Sequence, residues 1–301
     1  MGGMIVKNIL SIDDLANDEI SAVLDNAARI KREGVRGTEL AGRIAALLFF
    51  EPSTRTRLSF ASAAQRLGMG VIGFDDPALS GAAKGESLTD TVRVVQSYAE
   101  LIVLRHPRAG AAHEAAGVAA VPLVNGGDGG REHPTQTLYD LFTVRERFGR
   151  LDGLRVGFYG DLRFGRAANS LALALSRFGA ELTWIAPADL QPAEEVVAAV
   201  HGRGVPTARA EEPAEVLPGL DVLYVSRPQR ERWPAGLAPE LPPVTRALLR
   251  RASEDLLVLH PLPRTGELAV DVDADPRAGY FQQVANGVPV RMAVLRQLLS
   301  G

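Results

Sequence analysis

A chain of 301 residues, 46% hydrophobic and 23% charged with a net charge of -3, has the make-up of one large or two ordinary globular domains, not of a nucleic-acid or anionic-membrane binder. It contains no cysteine, which excludes disulfides, cysteine nucleophiles and cysteine-ligated zinc and fits a cytoplasmic location. No apolar run reaches the length of a membrane span, and the start MGGMIVKNIL lacks a signal peptide's shape, so no membrane partner is expected.

Taken in chain order, short apolar runs at 44–50, 71–74, 101–104 and 121–124 read as strands, with helical patterns at about 54–68 and 87–99. A helical pattern at 134–148 follows, and then GRLDG, which marks the best domain boundary. Beyond it, runs at 155–159, 182–185, 221–225 and 256–259 read as strands, with helices at about 165–179, 192–203 and 243–252. Strands alternating with helices predict an α/β fold, and this many strands suit two mostly parallel open sheets flanked by helices better than one. The domains are placed at 1–133 and 134–285. The closing amphipathic pattern at 288–299 can pack on either; about 286–301 is assigned to the first.

The stretch LFFEPSTRTRLSF, Leu48 to Phe60, places three hydroxyl residues, Ser53, Thr54 and Thr56, and two arginines where a buried strand gives way to a helix. A helix start leaves unpaired N–H groups and a positive dipole end. With the hydroxyls of Ser53, Thr54 and Thr56 and the Arg55 guanidinium, it makes a phosphate-sized anion site. The same residues also suit an N-cap flanked by surface arginines. Arginine is the default cation here: thirty arginines stand against three lysines, Lys7, Lys31 and Lys84. Lys84 lies in the loop FDDPALSGAAKGESL, ahead of a helix whose start reads S-x-x-D, Ser87 to Asp90. A lysine here points to a need for a compact ammonium. Arg105 follows a strand and should emerge at the carboxyl edge of the sheet, where open α/β folds bind ligands. By itself it could equally be an idle exposed arginine, and His133 in EHPTQ a cap or core histidine. No G-x-G-x-x-G opens a first strand and no G-x-x-x-x-G-K-[ST] occurs, so no nucleotide cofactor is implied, and no metal site.

FFEPSTRTRLSF strongly resembles the carbamoyl-phosphate signature of the aspartate and ornithine carbamoyltransferases. So do KGESLTDTVRV (84–94), LRHP (104–107), NGGDGGREHPTQTLYDLFT (125–143), GDLRFGR (160–166), SRPQRER (226–232), HPLPR (260–264) and YFQQVANGVPVRMAVL (280–295), in the family's order through nearly the whole chain. The resemblance implies two domains, the first binding carbamoyl phosphate and the second aspartate, with the active site in the cleft between them. It implies that Ser53, Thr54, Arg55 and Thr56 cradle the phosphate and that Arg105 contacts phosphate and carbonyl oxygen. His133 would hydrogen-bond the carbamoyl oxygen, Gln136 the carbamoyl amide, and Leu262 and Pro263 would contact carbamoyl phosphate through a cis Leu–Pro turn. Arg166 would bind the α-carboxylate of aspartate, and Arg227 and Gln229 its side-chain carboxylate. Ser80 and Lys84 would come from a neighbouring subunit, which implies a homotrimer; some relatives assemble further with a regulatory chain or another pyrimidine-pathway enzyme. Pro261 stands where the ornithine enzymes carry cysteine, and their ornithine-binding S-M-G segment is absent, which favours aspartate. The implied reaction, the committed step of pyrimidine synthesis, needs no metal or organic cofactor.

Overall fold

The computed structural model describes residues 8–76, 78, 81–130 and 132–299. They form two compact units, Met1–Leu138 with Asn286–Gly301, and Tyr139–Ala285.

Unit 1 carries strands β1 (Asn8–Ile9), β2 (Ile44–Phe49), β3 (Gly70–Phe74), β4 (Leu101–His106) and β5 (Leu123–Asp128) in one sheet of order β1-β5-β4-β2-β3. Every pairing in it is parallel. The central strands read IAALLF and LIVLRH because a parallel strand covered on both faces has no polar side to show. Helices α1 (Asn17–Glu33), α2 (Thr54–Arg66), α3 (Leu88–Val95) and α4 (Ala111–Ala116) fill the connections. Ala46, Leu48, Ile102, Leu104 and Leu123 pack with Val92 and with Ala111, Ala112 and Ala115, the small residues letting α4 sit close to the sheet. Each fully buried leucine, isoleucine or valine contributes roughly 1.5–3 kcal/mol relative to exposure.

Unit 2 holds β6 (Arg155–Gly160), β7 (Glu181–Ile185), β8 (Thr207–Ala210), β9 (Val222–Ser226) and β10 (Leu257–Leu259), all parallel, in order β10-β9-β6-β7-β8. Its helices are α5 (Pro134–Phe148), which begins in unit 1, α6 (Arg166–Ser176), α7 (Glu194–His201), α8 (Pro213–Val216) and α9 (Arg246–Leu249). Tyr159, Ile185, Leu223, Val225, Leu249 and Val258 form its core. Helix α10 (Tyr280–Leu299) begins in unit 2 and ends in unit 1.

Both sheets are doubly wound. In unit 1 the chain leaves β2 towards β3 and then returns across it to β4; in unit 2 it leaves β6 towards β7 and returns to β9. Binding crevices form beyond the carboxyl ends of strands at such reversals. The reversals therefore select the loops after β2 and β4, and after β6 and β9.

The structure corrects the sequence reading in four places. Each sheet has five strands rather than four, because β1 and β8 are edge strands too short or too polar to stand out. Helix α1 was passed over although Ile20, Val23, Leu24, Ala27 and Ile30 form a buried stripe at helical spacing. Helix α4 was also missed. The closing helix starts at Tyr280, not 288, and runs through Pro289.

Candidate active site

In unit 1, Ser53 occupies the N-cap position of α2 with φ -157° and ψ 89°, yet its hydroxyl makes no capping hydrogen bond. The capping reading of this stretch therefore fails locally. Ser53 is half-buried, Thr54 and Arg55 are exposed, and Thr56 points inward with 6% exposure. Thr56 Oγ1 lies 3.3 Å from His133 Nε2, across 77 residues of sequence. His133 directly precedes Pro134, the first residue of α5, where a missing N–H costs nothing. Its carbonyl accepts from the N–H groups of Gln136 at 2.9 Å and Thr137 at 3.1 Å, which fixes the turn, and Gln136 is itself buried.

Arg105 is buried at 8% exposure, not exposed as a strand-end arginine would be, because β4 continues to His106 and β2 shields it in register at Phe49. Its Nη1 donates to the Gly126 carbonyl at 3.1 Å, and its Nη2 lies 3.2 Å from Glu51 Oε2. Glu51 was not singled out from the sequence, although it stands directly before the PSTR turn. It places a negative charge beside the Arg105 guanidinium. Burial lowers the pKa of neighbouring His106, assisted by Arg108. Of the two residues expected from a neighbouring subunit, Lys84 is exposed at the end of a 3₁₀ turn, Gly81–Lys84, and Ser80 lies outside the described residues. Lysine scarcity proves an uneven guide: Lys31 donates to buried Asn286 at 2.8 Å, a packing role.

In unit 2 the loops after β6 and β9 are knitted together by Asp161, which is fully buried. Its Oδ1 accepts from Phe164 N–H at 2.9 Å, its Oδ2 from Gln229 N–H and Trp233 Nε1–H, each at 2.8 Å, and its carbonyl from Ser226 Oγ at 2.9 Å. Gly165 permits this approach: a Cβ there would lie 2.4 Å from the Asp161 carbonyl oxygen and 2.6 Å from Ser226 Oγ. Arg166 opens α6 at this point and is half-buried. Arg227 Nη2 donates to Gln229 Oε1 at 3.0 Å and to Glu231 Oε1 at 2.5 Å, and Nη1 reaches Glu231 Oε2 at 3.3 Å. The Arg227 guanidinium holds the Glu231 carboxyl below its ordinary pKa. Asp161, Glu231 and Trp233 were missed as partners; the motifs GDLRFGR and SRPQRER contain the first two but not their pairing.

The HPLPR segment is also in unit 2. The Leu262–Pro263 bond is cis, and Leu262 has φ 53°. Leu262 N–H donates to His260 Nδ1 at 2.8 Å, so the ring proton sits on Nε2 and points to Glu267 Oε1 at 2.7 Å. Burial alone would raise the Glu267 carboxyl; hydrogen bonds from His260 and from the Thr265 backbone outweigh it and leave its pKa lowered. The His260 backbone N–H is held by Gln283 Oε1 at 2.9 Å, and Gln283 Nε2 by Asp140 Oδ1 at 2.7 Å. Arg264 pairs with Asp273, which lowers that carboxyl to about 2.

Thr56 and His133 therefore meet in unit 1, with Gln136 in the turn that follows and Arg105 in the same unit, and Arg227 and Gln229 touch in unit 2, as do the residues that shape the Leu262–Pro263 turn. The first set offers donors to a phosphate and a carbonyl oxygen; the second offers a guanidinium and an amide to a carboxylate. Among the described residues, no group of three or more His, Cys, Asp or Glu side chains could hold a metal ion. No helix of the described residues is long and apolar enough to cross a membrane.

The chain is similar to known proteins over nearly its whole length. The family signature of the aspartate/ornithine carbamoyltransferase carbamoyl-P binding domain matches residues 7–146, and that of the Asp/Orn binding domain matches residues 152–298. The aspartate carbamoyltransferase catalytic subunit of Chromobacterium violaceum is 46% identical over 297 residues, 98% of each chain. The aspartate transcarbamoylase of Trypanosoma cruzi with N-(phosphonacetyl)-L-aspartic acid aligns with a TM-score of 0.93 at 38% identity, over 99% of this chain and 98% of that one. The same enzyme with carbamoyl phosphate and aspartate aligns at 0.89, again at 38% identity, over 98% and 97%.

Proposed function

This chain belongs to the aspartate/ornithine carbamoyltransferase family, and on that premise we propose that it is an aspartate carbamoyltransferase. It transfers the carbamoyl group of carbamoyl phosphate to the α-amine of L-aspartate, giving N-carbamoyl-L-aspartate and phosphate, in pyrimidine biosynthesis. The observation that carries the reading is the buried Thr56–His133 contact beside an uncapped helix start, a hydroxyl and an imidazole brought together from distant positions.

Carbamoyl phosphate is held in unit 1. Its phosphate takes the N–H groups at the start of α2, the Ser53, Thr54 and Thr56 hydroxyls and the Arg55 guanidinium. Arg105 exchanges Glu51 for the substrate and reaches phosphate and carbonyl oxygen. Gln136 recognises the carbamoyl amide. Aspartate binds through Arg166 at its α-carboxylate and through Arg227 and Gln229 at its side-chain carboxylate. The amine nitrogen attacks the carbonyl carbon, the C–N bond forms, and the bond to the phosphate oxygen breaks. A phosphate oxygen takes the amine proton. His133, Thr56 and Arg105 donate to the carbonyl oxygen as negative charge gathers there, so electrostatic stabilisation and positioning supply most of the acceleration.

Ser80 and Lys84 act in the site of a neighbouring copy within a cytoplasmic homotrimer. Support comes from the exposure of Lys84 and from the apolar side chains Leu58, Ile72, Val94 and Tyr98, which unit 1 leaves 39–60% exposed. Sedimentation of the active enzyme is expected to give a trimer or a multiple of it; a fully active monomer would refute the shared site. The activity itself is tested by phosphate release from carbamoyl phosphate with aspartate, ornithine or no acceptor. Release is expected with aspartate alone, and release with ornithine instead would overturn the assignment of Arg227 and Gln229.

A further inference from the structure

Between Gln229 and Trp233 the chain closes a ring on a single oxygen atom. The Gln229 N–H enters Asp161 Oδ2 from one end of the 3₁₀ turn Arg230–Arg232, and the indole Nε1–H of Trp233 enters it from the other, each at 2.8 Å. Asp161 is fully buried and its other oxygen is held by Phe164 N–H, so the anchor cannot swing. A second strut runs from Arg232 Nη1 to the Phe164 carbonyl at 3.2 Å. Glu231 lies inside the ring, four residues after Arg227, and grips both terminal nitrogens of that guanidinium.

From this geometry we propose that Trp233 is a positioning residue for the acceptor. Its indole N–H fixes the far end of the turn, the turn fixes Glu231, and Glu231 with Gln229 holds Arg227 in one orientation before aspartate arrives. A long arginine that has already lost its rotamer freedom on folding does not lose it on binding. The inference rests on the reading of Arg227 and Gln229 as the site of the acceptor's side-chain carboxylate. Its competitor is packing alone, because Trp233 also lines a small cleft with Pro228, Pro239 and Leu241.

Two substitutions separate the hydrogen bond from the packing. Trp233→Phe keeps an aromatic ring and removes the N–H. Trp233→His removes the benzo ring but can place its Nε2–H where the indole Nε1–H was. In the full-length enzyme at saturating carbamoyl phosphate, Trp233→Phe is expected to raise the KM for aspartate about tenfold, as loss of one hydrogen bond to a buried carboxylate allows. Its kcat and its carbamoyl-phosphate KM should stay within about twofold, and Trp233→His should keep the aspartate KM within about threefold. Equal effects from both, or no effect from Trp233→Phe, would overturn the proposal. Arg227→Ala run alongside tells the two ideas apart. If it leaves aspartate saturation unchanged, the carboxylate assignment itself is wrong; if it raises the KM and Trp233→Phe does not, only the positioning role is lost.

A measurement on the unaltered enzyme does not depend on either variant folding. The chain has two tryptophans, and Trp184 is 1% exposed, so the acrylamide-quenchable emission is that of Trp233. Because the turn is already set, succinate, which is aspartate without its amine, should leave that quenching unchanged when bound with carbamoyl phosphate. A large change in quenching at succinate saturation would mean that the turn forms only on binding and would overturn the proposal.

Discussion

Replacing His133 by alanine is expected to lower kcat about 100- to 1000-fold, the usual cost of removing one donor to a developing oxyanion, while the dissociation constant for carbamoyl phosphate changes little. The asymmetry follows from timing. The carbonyl oxygen of the bound substrate carries partial charge, and the tetrahedral intermediate carries a full one, so a donor aimed at that oxygen matters most at the barrier. On the proposed reading the phosphate, which supplies most of the ground-state binding, is held by other groups. His133 is buried and adjoins Thr56, so the variant also leaves the Thr56 hydroxyl without its ring partner. Steady-state kinetics and equilibrium binding of carbamoyl phosphate, with circular dichroism to establish that the fold persists, make the comparison. Equal losses in turnover and in binding would mean that His133 only holds the substrate.

The second large effect is expected at the acceptor. Arg227→Ala should raise the KM for aspartate by about 100-fold or more, as the loss of two charge-assisted hydrogen bonds of about 1.5 kcal/mol each implies, and leave carbamoyl-phosphate binding intact. The fold should tolerate the change. Glu231, the partner that loses its cation, has a side chain 55% exposed and can turn to water. Arg227→Lys should fall between the two, since it keeps the charge and loses the planar fork. Aspartate saturation curves at fixed carbamoyl phosphate decide it, and an unchanged curve for Arg227→Ala would remove Arg227 from the acceptor site.

The fold was legible where burial leaves a mark on composition. Strands β2, β4, β6 and β9 are apolar almost throughout because both faces of a parallel sheet are covered, and their runs are visible without any alignment. Strand β8, Thr-Ala-Arg-Ala at an edge, has no such mark, and its hydrogen bonds to β7 alone make it a strand. Helix α10 shows the opposite failure. Gly287 and Pro289 are local stop signals, but burial of Tyr280, Gln283, Asn286, Val290 and Ala293 along the same helix overrides them.

The candidate site divides in the same way. Residue types placed in order along the chain determined the chemistry on offer: hydroxyls and arginine at a helix start, a histidine before Pro134, arginine and glutamine after a strand. Which of them meet was decided by the tertiary structure. Arg105 reaches Glu51 because β2 lies beside β4, Asp161 collects Gln229 and Trp233 because β6 lies beside β9, and Thr56 reaches His133 although β4 stands between β2 and β5. A hydrogen bond needs its two atoms within about 3 Å. Propensity and spacing act over a few residues of chain and cannot bring distant segments that close. The winding of the sheets, fixed by the burial of the whole core, sets those distances.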